Sequence, residues 1–243
     1  MEIISADGTR LAARRTGRGE PLVLVHGSAG GLDSFDPVVP LLTDAFEVWV
    51  YERRGYAPGA GEPALFAGDV ADLRAVLQRS GPARVAGVSY GATVGLHAAL
   101  ESGAGIRTLT VFEPPLFAAG AVGALKRFRA ALTAGDLLAA NRIFAAEVAR
   151  FPFADQLGPA DPGETTGMLH DLEALAADGP DIDRWSGIRV PIRIVQGGDT
   201  WAPMPETMDA LAAACPAAER VTLDGQSHFA AHTAPELFAA AIR

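Results

Sequence analysis

Cysteine is all but missing from this chain of 243 residues: Cys215 stands alone, so an intramolecular disulfide framework is impossible. Lysine is as scarce, with Lys126 the single lysine among 20 bases, and 29 acids leave a formal charge of −9. There is no dense Lys/Arg stripe, which argues against a protein that tracks nucleic-acid phosphates. No stretch reaches ~18 uninterrupted apolar residues, so no transmembrane helix is expected. The first eight residues lack the basic flank and apolar centre of a secretory signal, and the expectation is a cytoplasmic protein. Internal repeats and long low-complexity linkers are also lacking.

What remains is an ordinary globular balance, 49% hydrophobic and 20% charged. The length suits one large domain, or a domain carrying an insertion. Such a chain buries roughly 70–75% of the surface its unfolded form exposes, so no metal or cofactor is required for stability. A monomer or homodimer is expected.

Short continuous apolar runs recur at 21–25, 48–51, 85–88, 109–112 and 192–195, with a more mixed run at 220–223. Runs of this kind suit strands buried on both faces of a parallel sheet. Between them lie helical periodicities at 69–79, 90–101, 206–214 and 235–243. The first of these places Val70, Leu73, Val76 and Leu77 on one face. Strand–helix alternation predicts an α/β fold with helices on both faces of a mostly parallel sheet. Two extended pieces at 1–6 and 10–15, around the turn signal Asp7-Gly8, add antiparallel pairs at one edge. The alternation breaks between Pro114-Pro115 and Trp185, where helical patterns at 125–133, 137–150 and 166–177 are punctuated by breakers. The chain therefore divides into a core of residues 1–114 and 186–243 and a helical insertion of residues 115–185. A lid over the C-terminal edge of the sheet is the favoured reading of that insertion, because ligands of open α/β sheets bind there.

The strongest chemical signal is Gly87-Val88-Ser89-Tyr90-Gly91, set between an apolar run and a helical pattern. A strand turning sharply into a helix holds its serine on a strained bend above the sheet edge. The flanking glycines let the two backbones approach. Serine needs a base to take its proton as it attacks. His228, just after the last apolar run, is the candidate; His26, His97, His170 and His232 fit structural or surface roles better. An acid must fix the imidazole tautomer. Asp199, after the run at 192–195, is favoured, and Glu113, at the end of the run at 109–112, is the rival. Acyl transfer also needs donors for a developing oxyanion. The backbone N–H groups of Ser28, in the small-residue segment 25–31, and of Tyr90, at the helix start, are the expected pair. Cys215 reads as a small buried apolar residue.

These residues resemble the α/β-hydrolase superfamily over almost the whole chain. The matching features are His26-Gly27, Tyr51-Glu-Arg-Arg-Gly55, the serine motif, Gly197-Gly-Asp199 and the segment ending in His228. More narrowly, the ensemble is similar to small cofactor-free bacterial serine hydrolases with a helical cap. The resemblance implies an eight-stranded, mostly parallel sheet and a Ser89–His228–Asp199 triad, with Ser28 and Tyr90 backbone as the oxyanion hole. Two departures stand out. The family's Asp-x-Arg-Gly-x-Gly-x-Ser turn is here the segment from Glu52 to Gly59. The acid loop is one residue short, so a strict register puts Thr200 at the acid position, which keeps Glu113 as an alternative. Ser89 argues against the branches that use an aspartate nucleophile.

Most aromatic residues of the insertion read as core. Phe117 and Trp201, each just beyond an expected strand end, are expected to line the substrate pocket. The leading expectation is a hydrolase that cleaves a carboxylic ester, thioester or lactone of a small hydrophobic acyl-type substrate. Family analogy extends this to carbon–carbon bonds. The alternative is a non-hydrolytic tailoring enzyme on the same fold: a cyclase, lyase or decarboxylase in natural-product biosynthesis.

Overall fold

A computed structural model of the chain describes residues 1–56, 64–116 and 119–243, the side chains of 119–121 excepted. Among the described residues eight strands form one sheet: β1 (Glu2–Ile4), β2 (Arg10–Gly17), β3 (Glu20–Val25), β4 (Phe46–Tyr51), β5 (Ala83–Val88), β6 (Ile106–Phe112), β7 (Ile192–Gly197) and β8 (Glu219–Leu223). Their spatial order is β1-β2-β4-β3-β5-β6-β7-β8. The first two pairings, β1 with β2 and β2 with β4, are antiparallel, and every later one is parallel. This is the α/β-hydrolase fold.

The continuous apolar runs are explained by burial on both faces. Along β3, Val23 and Val25 enter one core cluster while Leu22 and Leu24 enter the other. Trp49 and Tyr51 alternate with Val48 and Val50 along β4 in the same way. Five core helices among the described residues flank the sheet, α1 (Leu65–Ser80), α2 (Tyr90–Glu101), α6 (Met204–Ala214), α7 (Ala230–Thr233) and α8 (Pro235–Ile242), and a single 3-10 turn forms at Val39–Leu41. Proline at the first turn of α8 supplies a preset φ where no hydrogen-bonding N–H is needed.

Between β6 and β7 the described residues contain no strand. This insertion holds α3 (Ala119–Thr133), α4 (Leu137–Ile143) and α5 (Pro162–Ala177). Helix α4 runs on into a π-helical turn at Phe144–Val148. Helix α5 starts four residues before the periodicity at 166–177 indicates. Asp161 caps it, its side chain accepting from Gly163 N–H at 2.7 Å, with Pro162 in the first turn. Residues read as a breaker are thus a helix start. Among the described residues no helix is long and apolar enough to cross a membrane.

Candidate active site

Ser89 sits between β5 and α2 with φ 53° and ψ −124°, a conformation that a non-glycine residue holds only under constraint from its surroundings. The flanking glycines supply that constraint. A Cβ on Gly91 would lie 2.3 Å from the Val25 carbonyl oxygen, and one on Gly87 would lie 2.4 Å from the Gly91 oxygen. Gly27 follows β3 at similarly close quarters, where a Cβ would lie 3.1 Å from Ser89 Cβ. No larger residue lets β3, β5 and α2 meet behind the serine.

The end of the neighbouring strand brings a carboxylate to the same edge. Glu113, directly after β6, is fully buried and adopts φ 47°. Its carboxylate accepts from Gly197 N–H at 2.7 Å, from the Thr200 hydroxyl at 3.1 Å and from His228 Nδ1 at 2.6 Å. Glu113 meets His228, and Asp199 does not. Asp199 is exposed, on a loop pinned by its own N–H to the Gln226 carbonyl at 2.8 Å. The expected pairing of Asp199 with His228 is therefore corrected. The loop after β7 is too short to bring Asp199 round, and it presents Thr200, which braces the carboxylate arriving from β6. With Nδ1–H donating to Glu113, His228 Nε2 is the nitrogen left to act as base. No hydrogen bond joins Ser89 to His228 among the described residues; both line the same cavity.

Ser89, Ser28, His228 and Trp201 all line one cavity of about 810 Å³, within the range of small-molecule sites. The Trp201 ring packs against His228 at 5.4 Å between centroids. Phe117 lies outside the described residues. The insertion contributes Phe144, Phe151 and Met168 to the wall, residues that the sequence does not separate from core. Phe128 and Trp185 are core, as their periodicity indicates. The charged side chains of the lining are acids, among them Asp33, Glu52 and Glu164. Glu52 titrates above the usual carboxylate range, raised first by burial and then by the charge of Asp33. Neither Arg nor Lys lines the cavity among the described residues, and residues 57–63 and 117–118 contain none in their sequence.

Behind the cavity lies a buried polar network that composition and periodicity do not reveal. Arg53, fully buried, forks onto Asp171 of α5 at 2.9 and 2.6 Å and reaches Asp69 of α1 at 3.4 Å. Asp69 also accepts from the Tyr90 hydroxyl at 2.9 Å and meets His170 Nε2 at 2.8 Å. Burial works against the Arg53 charge, but Asp171 and Asp69 outweigh it and push the guanidinium pKa further up. His26 is fully buried. Its Nε2 accepts from Arg53 N–H at 3.0 Å, which places the proton on Nδ1, 2.7 Å from the Gly27 oxygen. Burial, then the Arg53 charge, lower the His26 pKa to about 3, so the ring stays neutral. Among the remaining histidines, His97 stacks on Phe66, and His232 lines the cavity's rim. Cys215 is buried against the Trp185 carbonyl. Among the described residues no group of three or more His, Cys, Asp or Glu side chains could hold a metal ion.

The model of the alpha/beta hydrolase family matches residues 22–241. An alpha/beta hydrolase from Sphaerobacter thermophilus superposes with a TM-score of 0.86 at 30% identity, covering 99% of this chain and 97% of that one. The enol-lactonase from Burkholderia xenovorans gives 0.78 at 19% identity, covering 100% and 98%. A thermophilic esterase from Thermogutta terrifontis, determined with malate bound, gives 0.78 at 20% identity, covering 100% and 96%. At these lower identities the likeness is one of fold. The curated proteins contain no match to the chain.

Proposed function

The chain belongs to the alpha/beta hydrolase family, and from that premise we propose that it is a serine hydrolase acting on an ester, thioester or lactone through an acyl-enzyme on Ser89. The observation that carries this reading is the Glu113–His228 contact of 2.6 Å at the rim of the cavity that Ser89 also lines. Ser89 Oγ attacks the carbonyl carbon while His228 Nε2 takes the hydroxyl proton. The carbonyl π pair becomes an oxyanion facing the N–H groups of Ser28 and Tyr90. Collapse expels the alkoxide, thiolate or lactone oxygen, which receives the proton from His228. Water, deprotonated by His228, then attacks the acyl carbon, and the acid is released as Ser89 Oγ departs and takes the proton back from His228. Glu113, in the role expected of Asp199, holds the ring tautomer and stabilises the imidazolium.

The lining of the same cavity supports a hydrophobic class of substrate. Apolar walls from Phe144, Phe151, Met168 and Trp201 suit a medium-sized hydrophobic acyl group. Acids without a basic partner in the lining disfavour a substrate that carries a free carboxylate. The helical insertion acts as the cap that closes this pocket.

The experiment is Ser89→Ala assayed on p-nitrophenyl butanoate and on a matching thioester. Turnover is expected to fall on the order of 10³–10⁶-fold. Near-normal turnover of the natural substrate by Ser89→Ala would instead favour the non-hydrolytic reading, in which His228 and the pocket matter more than covalent attack.

A further inference from the structure

The Ser28 N–H shares its peptide group with the Gly27 carbonyl, and in a trans peptide the two point in opposite directions. The Gly27 oxygen is held from inside the protein. His26 Nδ1–H donates to it at 2.7 Å and Arg53 Nη2 reaches it at 3.4 Å. Arg53 Nε also donates to the His26 carbonyl at 3.1 Å. Pulling the carbonyl inward turns the Ser28 N–H outward, toward the cavity that Ser28 lines.

The following peptide is held by its other end. Ala29 N–H donates to the Tyr56 hydroxyl at 2.9 Å, and Ala29 has φ 54°, a conformation that its surroundings must enforce. The Tyr56 hydroxyl donates onward to Asp171 Oδ2 at 2.8 Å, the same carboxylate that forks onto Arg53. Gly167, one turn earlier in α5, packs directly on the Tyr56 ring, where a Cβ would lie 2.5 Å from Cζ. Both peptide planes that flank Ser28 are therefore tied, through Arg53 and Tyr56, to one carboxylate on one helix of the insertion.

We infer that Tyr56, anchored by Asp171, is a positioning residue for the oxyanion hole and couples the seating of α5 to the aim of the Ser28 N–H. The inference rests on the serine-hydrolase reading above. In its terms the insertion does more than cover the pocket: when α5 is seated the donor is aimed, and when α5 lifts the donor is released.

Tyr56→Phe tests it, because the ring, its packing on Gly167 and its edge contact with His26 survive while the hydroxyl is lost. Removing one oxyanion donor outright costs about 10²–10³-fold in kcat, so loosening its aim is expected to cost about 10–100-fold. The KM for p-nitrophenyl butanoate is expected to stay within about twofold, since only stabilisation of the transition state is lost. An alkyl trifluoromethyl ketone provides the second readout. Ser89 Oγ adds to its carbonyl carbon, the π pair becomes an oxyanion, and the serine proton passes to His228. Its inhibition constant should rise by the same factor as kcat falls. A residue that merely supports the fold would lower the melting temperature and leave the kcat-against-KM split and the ketone affinity alone.

Asp171→Asn is the second variant, and it carries the test if Tyr56→Phe does not fold. It should lower kcat and ketone affinity about threefold or more, with little further loss when added to Tyr56→Phe, as expected of residues acting in one chain. Either folded variant with wild-type kcat and wild-type ketone affinity, or with KM raised at unchanged kcat, overturns the inference. A wild-type protein that the ketone fails to inhibit sinks the parent reading and this inference together. A wild type that is inhibited, with both variants inhibited equally, sinks the coupling alone.

Discussion

Glu113→Gln exchanges one atom in the proposed site and reverses one hydrogen bond. The carboxylate has three donors facing it: Gly197 N–H, the Thr200 hydroxyl and His228 Nδ1–H. A glutamine amide can still accept from Gly197, but its NH2 group then faces Thr200 and His228. Thr200 can rotate its hydroxyl to accept. His228 can accept at Nδ1 only by moving its proton to Nε2, the nitrogen that must receive the Ser89 proton. The wrong tautomer costs on the order of 10²–10⁴ in kcat, which at 1.36 kcal/mol per decade is about 2.7–5.4 kcal/mol of barrier. The ion pair that would stabilise the imidazolium is lost with it. Steady-state hydrolysis of p-nitrophenyl butanoate, read beside a thermal melt, measures the effect. Asp199→Asn is the control. Its side chain is exposed and makes no contact with His228, so kcat should remain within about threefold. A Glu113→Gln enzyme within threefold of wild type, or an Asp199→Asn enzyme that loses more than Glu113→Gln, would mean that Glu113 does not set the His228 tautomer.

Three stability predictions come from the buried network. Arg53→Met leaves Asp171 without its paired cation and takes one of two ion-pair partners from Asp69; breaking a buried pair costs about 3–5 kcal/mol, which for a chain of this size lowers the melting temperature by roughly 6–20 °C. A drop under 3 °C in a scanning melt would contradict it. His26, with its pKa lowered to about 3 from 6.5, binds its proton in the unfolded chain before it does in the folded one. Its contribution is therefore complete above pH 6.5 and is lost on acidification toward pH 3, at up to about 1.4 kcal/mol per pH unit. His170 has the opposite sign. Burial lowers its pKa, but Asp69 outweighs that and raises it, so its contribution is present below 6.5 and is lost as pH rises through the folded value. Urea melts between pH 4 and 8 should show a shallower acid slope in His26→Asn and a flatter alkaline limb in His170→Asn. Unchanged slopes would contradict the assignment.

The fold is legible in the sequence because both of its signals are local. Continuous apolar runs mark strands buried on two faces, and the pentapeptide around Ser89 demands glycines wherever backbones nearly touch. Asp199 is misread for a reason that is not local. Sequence order shows that the chain leaves β6 and β7 at the same edge, but not which of two adjacent carboxylates reaches a histidine more than 100 positions from Glu113 in the chain. That choice turns on the left-handed backbone at Glu113 and on a loop that brings Thr200 to the carboxylate. The shortness of that loop is the one sequence signal that points to Glu113. The network around Arg53 is hidden for a similar reason. Asp69, Asp171 and His170 sit among helical residues whose pattern gives polar side chains to solvent, and the partner that buries Asp171 is 118 positions away. The Asp161-Pro162 start of α5 is visible as a cap and a first-turn proline, and it is overlooked when the surrounding glycines and prolines are taken only as breakers.

Covalent attack by Ser89 is read out by labelling the protein with an alkyl fluorophosphonate and mapping the adduct by peptide mass spectrometry. A single phosphonylated residue, Ser89, is expected, with labelling abolished in Ser89→Ala and strongly slowed in His228→Ala. A fully active enzyme that takes up no label, or takes it up at another residue, would contradict it.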